Sequence, residues 1–258
     1  MSNRRFRRGI YLLPSLFTVG NLFCGFASIV QASMGRYALA AVLLIVAGVL
    51  DGLDGRIARL TGTTSDFGVE FDSLADIVSF GVAPAFLMFH WILHPLGRVG
   101  WLAAFVFVVC AAMRLARFNI RRNTSEKRYF AGLPSPPAAG TAAAVVFAFP
   151  EPAGLPWLPV AALPLMVGLA VLMVSRFRYR SFKDLDLHSR QSYINILLIA
   201  AVLVGVFMDP QITLLSAGLI YVLSGPVMYL GSLPKRFRQR ARRENTGEDE
   251  VADGPVTR

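Results

Sequence analysis

Thiols, imidazoles and charges are all scarce in this sequence. Its 258 residues include two cysteines and three histidines, and only 16% are charged. Cys24 and Cys110 have no CxxC spacing and both fall in apolar stretches, so they read as small apolar residues and exclude a disulfide framework or a thiolate metal site. No Ser–His or Cys–His pairing suggests a nucleophile with its base. No polar stretch is long enough for a soluble domain; the longest polar connections are 119–133 and 176–192. The arginines at the N-terminus precede an apolar run without a clear small-residue cleavage pattern, so that run is expected to be a retained first span.

Apolar residues dominate instead. They make up 55% of the chain, and the mean hydropathy is +0.53. That balance excludes an ordinary soluble globule and makes a bilayer the natural solvent. Charge-poor runs near 15–34, 37–58, 77–94, 99–118, 135–149, 157–175, 193–208 and 211–231 predict an all-α, polytopic membrane bundle of about eight transmembrane helices. The net charge of +10 is distributed along the chain as orientation signals. With both termini in the cytoplasm, only Arg36 and Arg98 fall in outside loops, as the positive-inside rule requires. The basic segments then contact anionic lipid rather than nucleic acid. Residues 1–234 read as one membrane domain and 235–258 as a charged cytoplasmic tail, poor in apolar residues and disordered. Trp91 and Trp101 read as an aromatic belt at the outer interface, near His90 and His94.

Residues 51–76 carry the chemistry. Asp51 and Asp54 are spaced i, i+3 at the end of one predicted span; Asp72 and Asp76 are spaced i, i+4 at the start of the next. Each pair shares one helix face, and the short turn between the helices makes them antiparallel neighbours, so the four carboxylates converge. An unpaired ionised carboxylate at a membrane helix centre costs ~2.5–3.5 kcal/mol, and clustering adds like-charge repulsion. Two divalent ions roughly 3.5–4 Å apart resolve that conflict, and an all-oxygen ligand set without His or Cys favours Mg²⁺ or Mn²⁺ over zinc. Gly55, Ala58, Gly68, Ser79 and Ala83 keep the adjoining faces small, leaving room for a diphosphate, and Arg59 is placed to pair with a phosphate oxygen. A cation-coupled transporter could use paired carboxylates as an ion site, and that alternative stays open on spacing alone.

The string Asp51-x2-Asp54-Gly55-x2-Ala58-Arg59-x8-Gly68-x3-Asp72-x3-Asp76 resembles the signature of the CDP-alcohol phosphotransferases at every fixed position. The resemblance implies a helical membrane core, a homodimer, and two metals on the cytoplasmic side of the cell (inner) membrane. It implies metal ligation by Asp51, Asp54, Asp72 and Asp76, with Asp76 also the general base, and CDP contacts from Gly55, Arg59 and Ser65. The segment Pro14-Ser15-Leu16-Phe17-Thr18-Val19-Gly20-Asn21 is similar to the family's nucleotide-contact motif on the first helix, which brings Thr18 and Asn21 into the CDP-lipid site. The family often has Asn where this chain has Ser15.

Three further segments bear on the acceptor: Ser79 to Pro84, Arg114 to Asn119, and Gly132 to Pro136. Arg114, Arg117 and Arg121 share a helix face; Arg121 reads as a positive-inside residue, whereas Arg114 lies deeper and needs an anionic partner. A substrate carboxylate or a lipid phosphate would satisfy Arg114 and Arg117. Serine carries both a hydroxyl and a carboxylate; glycerol-3-phosphate is the other anionic candidate. These segments resemble the phosphatidylserine synthase branch of the family, which implies CDP-diacylglycerol and serine as substrates and an acceptor site of Arg114, Arg117, Ser79, Asn119 and Ser135.

Overall fold

The computed structural model describes residues 3–61, 65–122, 132–151, 157–175, 177, 179 and 192–246, with side chains at 16–57, 65–120, 132–151, 157–175, 177, 179, 197, 200, 201 and 203–229. Among the described residues all regular structure is helical. Helix α1 covers Asn3–Ser33 and α2 Tyr37–Thr61. A continuous rod, α3, runs over Asp66–Leu96. Then come α4 (Arg98–Arg122), α5 (Ser135–Ala148), α6 (Leu158–Val174), α7 (Ser192–Met208) and α8 (Pro210–Thr246).

Among the described residues, five helices are long and apolar enough to cross a membrane: Leu16–Ser33, Tyr37–Ile57, Asp66–Leu96, Arg98–Ile120 and Pro210–Tyr229. The other three regions expected to span, now α5, α6 and α7, are 14, 17 and 17 residues long. Two boundaries differ from the sequence expectation. The third helix begins at Asp66 rather than near Asp72, because Ser65 caps it: its Oγ accepts from the Gly68 amide at 3.0 Å, and Asp66 in the first turn complements the helix dipole. Asp72 and Asp76 are therefore already inside a formed helix. At the other end, α8 continues to Thr246, so residues 235–246 are helical where a disordered tail is expected; a run of Lys, Arg, Gln and Ala propagates an existing helix readily. The remaining residues of that tail lie outside the described residues.

Small side chains set the packing. Ala40, Ala41 and Ala47 of α2 and Ala138, Ala139, Ala142 and Ala143 of α5 are buried, and the two helices pack together. Helix α5 is buried nearly all round, through Val146, as a central helix must be. Trp91 belongs to this interior and not to an interfacial belt: it is 3% exposed and its indole N–H donates to the Phe149 carbonyl at 2.9 Å, whereas Trp101 is 53% exposed. The buried phenol of Tyr179, beyond α6, donates to the Val222 carbonyl of α8 at 3.0 Å; burial and the neighbouring Tyr221 push its pKa up to about 12, which keeps the donor protonated.

Helix α3 is not uniformly α. It carries two π turns, Val78–Val82 and Phe89–Leu93, a local widening that often sits beside functional residues. The first lies directly below Asp76, where α1 crosses α3. Gly25 makes that crossing possible: an added Cβ would meet the Ser79 Cα at 2.7 Å and collide with its hydroxyl. Gly25→Ala is expected to force α1 off α3 and destabilise the protein by roughly 1–3 kcal/mol. Thermal unfolding in detergent measures this, and an unchanged midpoint would contradict the contact.

Candidate active site

Three helices build the site. Helix α2 brings Asp51 and Asp54, α3 brings Asp72 and Asp76, and α1 packs against both. Asp51, Asp72 and Asp76 each direct one carboxylate oxygen into a group whose members all lie within 4.8 Å of one another. Asp54, 6% exposed, instead accepts a short hydrogen bond from the Thr18 hydroxyl on α1. Asn21, one turn further along α1, donates from Nδ2 to Asp76 Oδ1 at 3.3 Å and is 0% exposed. Three of the four expected carboxylates thus meet, and the fourth is held beside them by the first helix.

Such a group could hold a cation. Three close carboxylates repel one another unless positive charge sits among them, and oxygen-only donors suit a hard divalent ion. The donor set fits Mg²⁺ or Mn²⁺. Gly52 and Gly55 have nothing within 4 Å of where a Cβ would stand, so the α2 backbone beside Asp51 and Asp54 is open among the described residues. Ser65 spends its hydroxyl on the α3 cap and is exposed. The side chain of Arg59 lies outside the described residues, as do those of Ala58 and Arg121.

The arginine segments divide between two roles. Arg114 Nη1 donates to Ser135 Oγ at 3.0 Å, joining α4 to the start of α5. It also lies within electrostatic reach of Asp76 and Asp51 and of the Tyr221 phenol on α8. Arg117 Nη1 donates to the Val174 carbonyl at 3.1 Å, satisfying the end of α6. The loop before α5 is clipped to the same place: the Gly132 amide donates to Phe177 O and the Leu133 amide to Leu172 O, each at 2.9 Å. Gly132 has φ +94, and a Cβ there would strike the Met173 carbonyl, so glycine is required. Pro136 and Pro137 then occupy the first turn of α5, where missing amides cost nothing.

Ser79 and Asn119 lie elsewhere. Ser79 is 0% exposed and donates to the Asn21 main-chain carbonyl at 3.0 Å. Asn119 donates to Ser73 Oγ at 3.0 Å, and both line an open cleft of about 260 Å³ with Glu70, Leu74 and Ile77. By helical spacing that cleft is on the face of α3 turned away from Asp72 and Asp76. One contributor had no signal in the sequence, Tyr221, from a helix without recognisable motif; Asn21 was expected at the site, but toward the CDP-lipid and not toward Asp76.

A model of the CDP-alcohol phosphatidyltransferase family matches residues 11–205. The chain belongs to that family. CDP-alcohol phosphatidyltransferases that it resembles include a CDP-diacylglycerol–serine O-phosphatidyltransferase of Helicobacter pylori (strain ATCC 700392 / 26695), 45% identical over 175 residues, covering 67% of this chain and 74% of the relative. An enzyme of the same name from Bacillus subtilis (strain 168) is 35% identical over 172 residues, covering 66% of this chain and 91% of the relative. One from Mycobacterium leprae (strain TN) is 41% identical over 145 residues, 54% of this chain and 48% of the relative. As a member of this family the chain is a membrane transferase, and its carboxylate group fits the divalent metal that such enzymes use.

Proposed function

We propose that the protein transfers the phosphatidyl group of CDP-diacylglycerol to the hydroxyl of serine, giving phosphatidylserine and CMP in phospholipid biosynthesis. The observation that carries this reading is the juxtaposition of the Asp51–Asp72–Asp76 group with Arg114, a cation at the edge of an anionic centre. The names of the relatives support serine as the acceptor. Asp51, Asp72 and Asp76 would hold a metal together, with Asp54 as the further ligand of a two-ion site. When bound, Mg²⁺ or Mn²⁺ neutralises the diphosphate and the departing CMP.

The chain's own residues supply the rest. Asp76, one turn deeper than Asp72, accepts the proton of the serine hydroxyl. The hydroxyl oxygen bonds to the lipid-side phosphorus as the bridging P–O bond to CMP breaks. Gly55 and the open backbone around it admit the diphosphate, with Arg59, Ser65 and Thr18 as further CDP-lipid contacts. Arg114 and Ser135 receive the serine carboxylate, while Arg117, Ser79 and Asn119, engaged with Val174, Asn21 and Ser73, hold the helices around them. With no nucleophile–base pair in the sequence, direct displacement is favoured over a covalent intermediate. The proposed setting is a homodimer in the cell (inner) membrane, with about eight helices, both termini cytoplasmic and the carboxylates at the cytoplasmic side.

Purified enzyme supplied with CDP-diacylglycerol, Mn²⁺ or Mg²⁺, and serine, glycerol-3-phosphate or inositol is the test. CMP release that depends on serine is expected. Release with glycerol-3-phosphate alone would move the acceptor, and no release with any alcohol would end the transferase reading in favour of a cation site in a transporter. Arg114→Ala is expected to raise KM for serine about 10- to 100-fold, matching the ~1.5–3 kcal/mol of a hydrogen bond to a charged group, with a smaller effect on kcat. An unchanged KM for serine would remove Arg114 from the acceptor site.

A further inference from the structure

We infer that Asn21 is a positioning residue for Asp76 and not a contact for the CDP-lipid. The inference rests on the phosphatidyl-transfer reading with Asp76 as base. Asn21 belongs to the first-helix segment that resembles a nucleotide-contact motif, which predicts a side chain presented to substrate. The structure buries it completely, at 0% exposure.

Its amide is oriented by its partner. An ionised carboxylate only accepts, so the NH₂ of Asn21 faces Asp76 Oδ1, at 3.3 Å. The opposite atom, Asn21 Oδ1, is buried with no hydrogen-bond partner. A buried amide oxygen left bare is destabilising, and an apolar residue of similar size would avoid that penalty. The interaction with Asp76 is what an apolar residue could not supply.

The backbone of Asn21 is fixed as firmly as its side chain. Ser79, in the π turn three residues beyond Asp76, donates its hydroxyl to the Asn21 carbonyl at 3.0 Å. One turn along α1, Gly25 lets Ser79 approach until no Cβ fits between them. The amide and its target are thereby held in register by a contact between the same two helices, immediately below the carboxylate group. Outer partners of this kind fix the rotamer of a ligating or basic carboxylate, and their removal typically costs 10- to 100-fold.

The test uses the full-length, metal-loaded enzyme with CDP-diacylglycerol and serine. Asn21→Ala is expected to lower kcat by about 10- to 100-fold while KM for CDP-diacylglycerol stays within about threefold. Asn21→Asp preserves shape but removes the donor, and its kcat is expected to fall at least as far; it also serves if the alanine variant does not fold. Ser28→Ala, which removes a buried 2.8 Å bond from α1 to the Ala40 carbonyl away from the carboxylates, is expected to leave kcat within about threefold. A raised KM for CDP-diacylglycerol with unchanged kcat, or wild-type kcat in Asn21→Asp, would overturn the assignment. An active wild type with unchanged Asn21 variants sinks this inference alone; a wild type that releases no CMP sinks the transfer reading and this inference with it.

Discussion

Asp76→Ala is expected to lower serine-dependent CMP release by about 10²- to 10⁴-fold, the usual contribution of a positioned base. The size of the effect follows from the acceptor. An alcohol is a weak nucleophile at neutral pH, and without a nearby acceptor its proton must leave to water as the new bond forms. Asp76 is the carboxylate whose surroundings suit proton transfer. It belongs to the group with Asp51 and Asp72, accepts from Asn21, and lies within electrostatic reach of Arg114. Titrating Mn²⁺ into the same variant by electron paramagnetic resonance separates base from ligand. Metal affinity is expected to fall much less than turnover, because Asp51, Asp72 and Asp54 remain. Turnover within about tenfold of wild type would remove Asp76 as the base.

Loss of the metal centre is the second large effect. Asp51 is the member of the close group contributed by α2; its removal leaves that group with two carboxylates four residues apart on one helix, with Asp54 turned to Thr18 beside them. Asp51→Ala is therefore expected to reduce transfer by about 10³-fold or more, since a bound divalent ion supplies several kcal/mol of charge stabilisation and each 1.36 kcal/mol is tenfold. Chelation of the wild-type enzyme is expected to reproduce the loss, and added Mg²⁺ or Mn²⁺ to reverse it. Full activity after exhaustive chelation would contradict the role given to the carboxylates.

The carboxylate group was legible because its information is local. Two pairs at helical spacing on consecutive helices with a short turn between them have few ways not to meet. The same logic explains what stayed hidden. Asn21 and Asp76 are 55 positions apart, and Arg114 meets Tyr221 only after the last helix docks. The segment Val78–Val82 contains nothing that forbids an ordinary α turn, so its π geometry depends on the crossing with α1. The arginine and Gly-Leu-Pro segments read as one acceptor-binding block, yet Arg117, Gly132 and Leu133 all tie the end of α6 in place. Helix capping and ligand binding require the same donors, and sequence alone does not separate them. The shortness of α5 was legible as well: the charge-poor run 135–149 matches the helix Ser135–Ala148 to within one residue.

That shortness has a consequence for substrate access. At 1.5 Å per residue, the 14 residues of α5 rise about 21 Å, against roughly 30 Å of hydrocarbon in a typical bilayer. Because α5 is buried among its neighbours, protein and not lipid surrounds it, and a helix of that length leaves an end recessed below the membrane surface. Ser135, with Arg114 upon it, is the first residue of α5. A water-soluble amino acid and a lipid anchored by two acyl chains have opposite solubilities, and a helix end recessed within protein gives the proposed reaction a place where the two can meet.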